Sequence, residues 1–503
     1  MHEDAERCYR VVQSRDSRFD GWFVTAVLTT GIYCRPSCPV RLPLAKNVRF
    51  YRDTAAAQQA GFRSCKRCRP DSAPGSPEWT IRTDTTARAM RLIADGTLDR
   101  EGVGGLATRL GYTTRQLERI LNAEVGAGPL ALGRVRRVNT ARLLIETTTL
   151  PFGGVAFASG FSSVRQFNDT IRAACDATPT ALRQSARKGA ASMAPRLGQT
   201  VSLRLAVRVP FAFEDLWDRL AADTVPGCSE IRDSTLRRTL RLPKGSAIAS
   251  LTPYFDHVDC RLSLTDLADL TAAVQRCRRL LDLDADPQPV ADTLAADPRL
   301  TAAVQRNPGQ RIARCVDEHE LAVRTLIGQG RSAAAARTFA ASLIDGVGTP
   351  IDDPEGTLTH LFPTATELSE TDPRTWEDPA GDPSPLTRLI HGLADGRIVL
   401  DPGADWRAAR HELRQVAGMN GWAVETVAMR ALGDPDAFPA EDPGLNRAAI
   451  ELGIVSRSTA TVDNASALSA SSQQWRPWRS YAAAHLWSCL RAPRSSGPRK
   501  ESA

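Results

Sequence analysis

Four cysteines fall in two close pairs: Cys34-x3-Cys38 in TTGIYCRPSCPVR, and Cys65-x2-Cys68 in GFRSCKRCRP, with 26 residues between the pairs. Each pair is close enough to chelate. Two such pairs complete a four-sulfur tetrahedral shell, the donor set that suits one Zn²⁺. A closed shell leaves no position for water, so it is a poor hydrolytic centre and by itself reads as a structural staple. The surroundings are strongly basic, however: Arg35, Arg41, Arg63, Lys66 and Arg67 all lie within a few residues of a cysteine. Such side chains suit phosphate. The other seven cysteines are scattered singly and read as ordinary buried thiols.

The elements that must position this cluster belong to a long chain. Its 503 residues imply about three or four domains, and 42% hydrophobic content suffices for sizeable cores. No run of about 18 apolar residues occurs, which argues against a membrane span. The start, MHEDAERCYRVV, is charged and lacks an apolar signal core, so a cytoplasmic protein is expected, where thiols stay reduced and clustered cysteines favour metal over disulfide. Charge is uneven. Residues 1–190 hold 29 Lys and Arg against 17 Asp and Glu, a net of +12, which leaves −5 for the rest of a chain of net +7. A basic first part points to a polyanion, most simply nucleic acid, although a merely soluble basic surface has the same composition.

Punctuation divides the chain. PDSAPGSPEW (70–79) and RKGAASMAPRLGQ (187–199) read as linkers, DLDADPQPVADTL (282–294) as a further seam, and APRSSGPRKESA as a tail. Helical spacing in ARAMRLI, GGLATRLG and RQLERIL predicts short helices over 80–188. VSLRLAVRVPF and LRRTLRL alternate like strands and TDLADLTAAVQRCRRLLDL like an amphipathic helix, so 200–280 is expected to be α+β. Residues 288–490 return to helix, with a Pro/Asp/Glu-rich stretch near 350–385. The expected fold is therefore multidomain: a small α+β zinc domain (1–78), an all-α double helix-turn-helix domain (79–188), an α+β domain (199–286) and an all-α domain (287–492).

FVTAVLTTGIYCRPSCPVR, NVRFY and GFRSCKRCRP together resemble the N-terminal domain of the Ada-type methylation sensors over about the first 75 residues. The resemblance implies that Cys34, the first of the four ligands, accepts a methyl group from a DNA methylphosphotriester, irreversibly and once per protein. Four thiolates on Zn²⁺ carry a formal charge of −2 and keep the sulfur in its nucleophilic form. A methylated triester is neutral and tolerates that charge, while Arg41 and Arg63, with Lys66 and Arg67, would hold the flanking charged phosphates. Methylation leaves −1, which weakens repulsion of DNA and would act as a one-way electrostatic switch.

LATRLGYTTRQLERIL (106–121) has the helix, glycine turn, helix layout of a helix-turn-helix, with Leu106, Ala107 and Leu110 inward and Gly111 at the turn. VAFASGFSSVRQFNDTIRAACDATPTALR (155–183) repeats it, with its turn at Gly160-Phe161. Two copies about 50 residues apart, ending in TPTALR, resemble the AraC-type activator domain. This implies two recognition helices in successive major-groove segments, beginning around Thr113, Thr114, Arg115 and Gln116, and around Ser163, Arg165, Gln166 and Asn168. Arginine reads guanine, and glutamine or asparagine reads adenine, though the same side chains also reach phosphate. The family's usual glycine before Thr-Pro is Asp176 here, a residue tolerant of turns. The partners implied are double-stranded DNA, both methylated and promoter DNA, and RNA polymerase; no membrane is implied.

Residues 200–490 resemble the AlkA-type 3-methyladenine DNA glycosylase II, through ELAVRTLIGQGRSAAAART, VAGMNGWAVETVAMRALGDPDAFPAEDPGL and QQWRPWRSYAAAHLW. The Pro-Cys-His-Arg site of an O6-alkylguanine methyltransferase is absent from the sequence. The resemblance implies a helix-hairpin-helix in which Gly418 and Gly421 flank a turn that holds a DNA phosphate. It makes Asp442, in preference to Glu441, the catalytic carboxylate, stabilising an oxocarbenium-like sugar and positioning water. It places Trp422 and Trp487 on the pocket for the flipped base, whose positive charge suits aromatic faces. Lyase-active relatives carry lysine at the Trp422 position, so no Schiff base is expected. Locally, Asp442 also reads as a helix cap before Pro443, and either tryptophan as core. Three departures stand out. Asn420 occupies a hairpin position usually held by glycine. Gly330, followed by Arg331, stands where a bulky wedge is usual. Thr426 replaces a pocket aromatic. A DNA-binding scaffold without activity is the rival reading of this half.

Overall fold

The computed structural model describes residues 3–70, 77–78, 82, 84–189, 200–372, 384–456 and 461–490. The tail and most of the linkers expected at 70–79 and 187–199 lie outside these residues, as do 373–383 of the acidic, proline-rich stretch.

The first unit is a four-stranded sheet in the order β3-β1-β2-β4, with β1 Val24–Val27, β2 Ile32–Cys34, β3 Val48–Tyr51 and β4 Arg63–Ser64. β1 is antiparallel to both β2 and β3, and β2 pairs parallel with β4. The parallel pair matters most. Arg63 N–H donates to Gly31 O (2.8 Å) and Cys65 N–H to Tyr33 O (3.0 Å), so the second cysteine pair leaves its strand beside the end of the first. The helix Thr54–Gln59 packs Ala57 beneath the sheet and turns Ala55 and Ala56 towards Leu117 and Leu121 of the helices that follow; side chains this small permit close approach.

Seven helices follow, from Thr85–Asp95 to Pro179–Gly189. Leu106, Ala107 and Leu110 are buried as expected. Gly111 (φ 78) and Gly160 (φ 81) take left-handed conformations at the two turns, where a Cβ would be strained. The C-terminal half begins with a five-stranded sheet, β5-β9-β8-β7-β6: Thr200–Ala206, His257–Leu264, Gly245–Pro253, Thr235–Leu242 and Ser229–Arg232. Every pairing is antiparallel. Helices Phe213–Ala222 and Leu270–Leu280 cover it, and helices then dominate from Pro287 to Cys489. The acidic stretch contributes one short strand pair, Thr349–Pro350 with His360–Leu361, and the helix Ala365–Glu370.

Packing joins these parts. Val138, Ala141 and Leu144 of the helix Pro129–Thr147, with Val155, Phe161 and Phe167 of the second helix-turn-helix, share one hydrophobic cluster with Val201, Leu205 and Ala273 of the sheet unit. Arg88 Nε and Arg91 Nε donate to the carbonyls of Gly403 (2.6 Å) and Pro402 (2.7 Å). A Cβ on Gly403 would meet Leu92 at 2.5 Å, so only glycine permits that approach. At the other end Arg208 donates to Asp20 O (2.7 Å), and Trp22 Nε1 to Asp286 (3.1 Å). Between the sheet and the helical unit, Arg238 and Glu320 form a buried ion pair, and loss of either partner would leave an uncompensated buried charge.

Candidate active sites

The ligand atoms of Cys34, Cys38, Cys65 and Cys68 lie within 4.8 Å of one another, and all four residues are buried. A tetrahedron of sulfurs about 2.3 Å from zinc has edges of about 3.8 Å, so the cluster needs only a small contraction to close on one ion. Hydrogen bonding from Cys34 and Cys68 pulls the Cys38 thiol far below the usual range; the same bonding, above all to Cys38, pushes Cys34 far above it. Four negative sulfurs this close repel one another, and a divalent cation balances them. The donor set fits one Zn²⁺. Asp20, invisible to the sequence reading, holds the chelating loop: its buried carboxylate accepts from Ser37 N–H (3.0 Å) and Ser37 Oγ (2.6 Å) and lies 3.4 Å from Arg35 Nε.

The basic side chains divide. Arg41 and Arg67 are exposed. Arg63 instead forms a 2.8 Å ion pair with Asp176, and Lys66 Nζ reaches the Asp176 carbonyl (3.0 Å) and carboxylate (3.4 Å). Arg69 makes a two-pronged pair with Glu146 (3.0 Å on each arm). Asp176 itself ends the helix Val164–Cys175 in a left-handed conformation (φ 50, ψ 37), the one its usual glycine would take. Arg63, then Lys66, holds its carboxyl below the ordinary aspartate range.

The recognition helices Thr114–Val125 and Val164–Cys175 are capped by Thr113 and Ser163. Arg115 and Arg165 are exposed on them, and Asn168 is half-buried. The glutamines are already engaged: Gln116 Oε1 accepts from Thr113 N–H (3.0 Å) in a capping box, and Gln166 Oε1 accepts from Ser162 Oγ (2.9 Å).

The second centre lies far along the chain. Trp406–Gln415 and Gly421–Val427 form the hairpin pair, and Asp442 caps the helix Pro443–Glu451 through its own carboxylate (2.8 Å to Leu445 N–H). The local helix cap and the carboxylate expected to be functional are thus the same residue. Trp487 Nε1 donates to Asp442 Oδ1 (2.9 Å) and Trp422 Nε1 to Oδ2 (3.1 Å), so both tryptophans converge on it edge-first, with their rings half-buried. Arg219, on the sheet-unit helix Phe213–Ala222, places its guanidinium 4.1 Å from the centre of the Trp487 ring.

The hairpin is clamped by neighbours that were not assigned roles from sequence. Gln329 donates to Gly418 O (2.6 Å) and accepts from Asn420 N–H (3.1 Å), while Glu441 accepts from Trp422 N–H (3.1 Å). The adjacent Gly-Gln of GQGRS was the signal for the first; the Glu-Asp doublet was the signal for the second.

Models of three families match: the metal binding domain of Ada over residues 7–71, a helix-turn-helix domain over 106–185 and the AlkA N-terminal domain over 202–317. The chain is 58% identical over 501 residues to the "Probable bifunctional transcriptional activator/DNA repair enzyme AlkA" of Mycobacterium tuberculosis, covering 100% of this chain and 99% of that one. The chain belongs to this family of bifunctional transcriptional activator and DNA repair enzymes. Its two halves match separate proteins in Escherichia coli. The "Bifunctional transcriptional activator/DNA repair enzyme Ada" is 35% identical over 166 residues, 32% of this chain and 46% of that one. "DNA-3-methyladenine glycosylase 2" is 27% identical over 291 residues, 55% of this chain and 94% of that one. Among the described residues, no helix is long and apolar enough to cross a membrane.

Within this family member the three departures take definite forms. Asn420, where glycine is usual, does not adopt positive φ. Gly418 does (φ 92), against Pro385, while Asn420 is extended (φ −85) and caps the second helix through its side chain. Gly421 leaves room for the Glu441 carboxylate, which a Cβ there would meet at 2.5 Å and push away from Trp422 N–H. Gly330 is left-handed (φ 74), and Arg331, rather than projecting, bonds Ile327 O (2.9 Å) and lies over Phe339. Thr426 is buried.

Proposed function

We propose that the chain performs two DNA repair reactions, one stoichiometric and one catalytic, and that the first sets its activity as a transcriptional activator. The four functional parts are taken as residues 1–78, 79–188, 199–286 and 287–492. Bound zinc would keep the four cysteine sulfurs ionised at neutral pH. Cys34 Sγ attacks the methyl carbon of a phosphotriester; the S–C bond forms as the C–O bond breaks, and an ordinary phosphodiester anion leaves. Arg41 and Arg67 stand exposed to take flanking phosphates, and Arg63 and Lys66 join them on leaving Asp176. The helix-turn-helix pair then holds promoter DNA through Arg115, Arg165 and Asn168, with RNA polymerase as the partner that an activator requires.

In the C-terminal half the reaction is hydrolysis of an N-glycosidic bond. The flipped base lies against the rings of Trp422 and Trp487, and Asp442 faces the sugar, where its negative charge stabilises the oxocarbenium character as the base leaves. Water completes the hydrolysis, and no lysine stands at the Trp422 position to form a Schiff base. One observation carries this reading: two indole N–H groups and a helix N-terminus fix a single carboxylate at the edges of two half-buried aromatic rings. A scaffold that only bound DNA would have no use for that convergence.

The test has two arms. Methylated DNA should leave the mass of one methyl group on Cys34 and on no other cysteine. Duplexes holding 3-methyladenine should lose the base to the wild type and not to Asp442→Asn. Absence of the adduct removes the sensor, and equal or absent release in both proteins leaves the scaffold.

A further inference from the structure

A cationic base and a guanidinium compete for the same kind of surface. The face of an indole ring attracts positive charge within about 6 Å of its centre, and the attraction weakens when a cation is already there. Arg219 lies 4.1 Å from the centre of the Trp487 ring, the ring whose N–H is bonded to Asp442. It reaches there from the opposite structural unit, at the C-terminal end of the helix Phe213–Ala222, whose Leu216, Trp217 and Leu220 are buried and fix its orientation. Arg219 itself is half-buried beside the Trp487 ring.

We infer that Arg219 is a specificity-determining residue that biases the glycosylase pocket towards uncharged modified bases and away from cationic alkylated purines. The bias acts on a base stacked on the face of Trp487 away from the guanidinium, where Arg219 stays in place and its field opposes a second positive charge across the thickness of one ring. A neutral base there meets no such repulsion, and stacks on the ring as a flat apolar surface. Thr426 works in the same direction: with a small buried side chain there in place of an aromatic ring, the pocket offers one π face fewer to a cation. The inference rests on the glycosylase reading above.

The experiment compares the full-length protein with Arg219→Met, which keeps an extended side chain over the ring without charge, and Arg219→Lys, which keeps the charge. The probes are duplexes holding a single 7-methylguanine, a cation at neutral pH, or a single hypoxanthine, a neutral purine. The readout is the ratio of the two kcat/KM values. Arg219→Met should raise the cationic-to-neutral ratio about five-fold, and Arg219→Lys should leave it near wild type. An unchanged ratio in a folded Arg219→Met, or an equal loss on both duplexes as for a simple phosphate contact, overturns the inference while leaving the glycosylase reading intact. Affinities for the same duplexes in an Asp442→Asn background give the ratio without turnover, so slow chemistry does not mask it. If the wild type neither binds nor cleaves damaged duplex better than undamaged duplex, the glycosylase reading itself fails, and this inference with it.

Discussion

The four-cysteine centre and the Asp442 centre are held in opposite ways. The first lies within 35 residues of chain, from Cys34 to Cys68, and its ligands converge because one parallel strand pair sets two chelating loops side by side. Its apolar neighbours, Ile32 and Val40, are few and only partly buried, and charge stands close in Asp20, Arg35 and Arg63. The second draws on residues from 219 to 487, and its carboxylate is gripped by neutral N–H donors from rings packed on a large apolar cluster. A metal replaces a core in the first, and a core replaces a metal in the second.

Chelation is the strongest way to separate them. Structural zinc sites contribute about 10–16 kcal/mol, comparable to or above the whole margin of a small domain. Removing zinc, or substituting Cys65→Ala, should therefore unfold the region around the cysteines, seen as loss of bound zinc and of the amide signals of residues 3–70. Base release by the other half should persist. Its disappearance would show that the two supports are not independent. The converse is Asp442→Asn. Asparagine still caps a helix, so the fold should stand, while loss of a preorganised charge should slow base release by about 10²–10³-fold. Methyl uptake by Cys34 should be unaffected.

Legibility followed the same divide. Cysteine spacing is a local signal, so all four ligands and the metal were readable from the sequence, as were the helix-turn-helix turns at Gly111 and Gly160. Individual members of the second centre were readable only through resemblance. Their mutual bonds were not, because no local pattern encodes that Trp422 and Trp487 point N–H groups at one carboxylate 20 and 45 residues away. Asp20 and Arg219 were missed for the same reason: each acts on a site distant in the chain. Gln116 shows the reverse failure, since a locally satisfied capping box and a base-reading side chain look alike in sequence.

Acid should distinguish the two supports by a smaller amount. His485 lies in the helical core, and burial pushes its pKa down to about 4, with only partial compensation from the Ala303 carbonyl. A depressed folded pKa means that the unfolded chain binds the proton first. The contribution is complete above the unfolded value of about 6.5 and is lost as pH falls through about 4, worth about 3 kcal/mol in all. The melting transition of the C-terminal half should fall over that window. Substituting His485→Gln should flatten the slope without altering the pH at which zinc is released.

The smallest expected effect bears on whether the two centres are guarded alike. Glu441 covers a hairpin N–H, and Asp176 covers Arg63 and Lys66, so in each centre a carboxylate stands on groups suited to a DNA phosphate. Asp176→Asn keeps a side chain that tolerates the left-handed conformation and removes only the charge. Arg63 then loses its ion pair, and Lys66 keeps only the Asp176 carbonyl, so both cations turn more readily to phosphate. DNA binding by the N-terminal half should tighten a few-fold at low salt, and the slope of log affinity against log salt should steepen by up to about two. Asp176→Gly should do the same and also relieve the backbone, so a rise in melting temperature without a change in salt slope would assign Asp176 to turn geometry alone. If the slope steepens in both variants, DNA must displace a carboxylate at the methyl-accepting centre before its phosphates can be held. The charge lost on methylating Cys34 would then act on a competition already close to balance, where a change of one unit has its greatest effect.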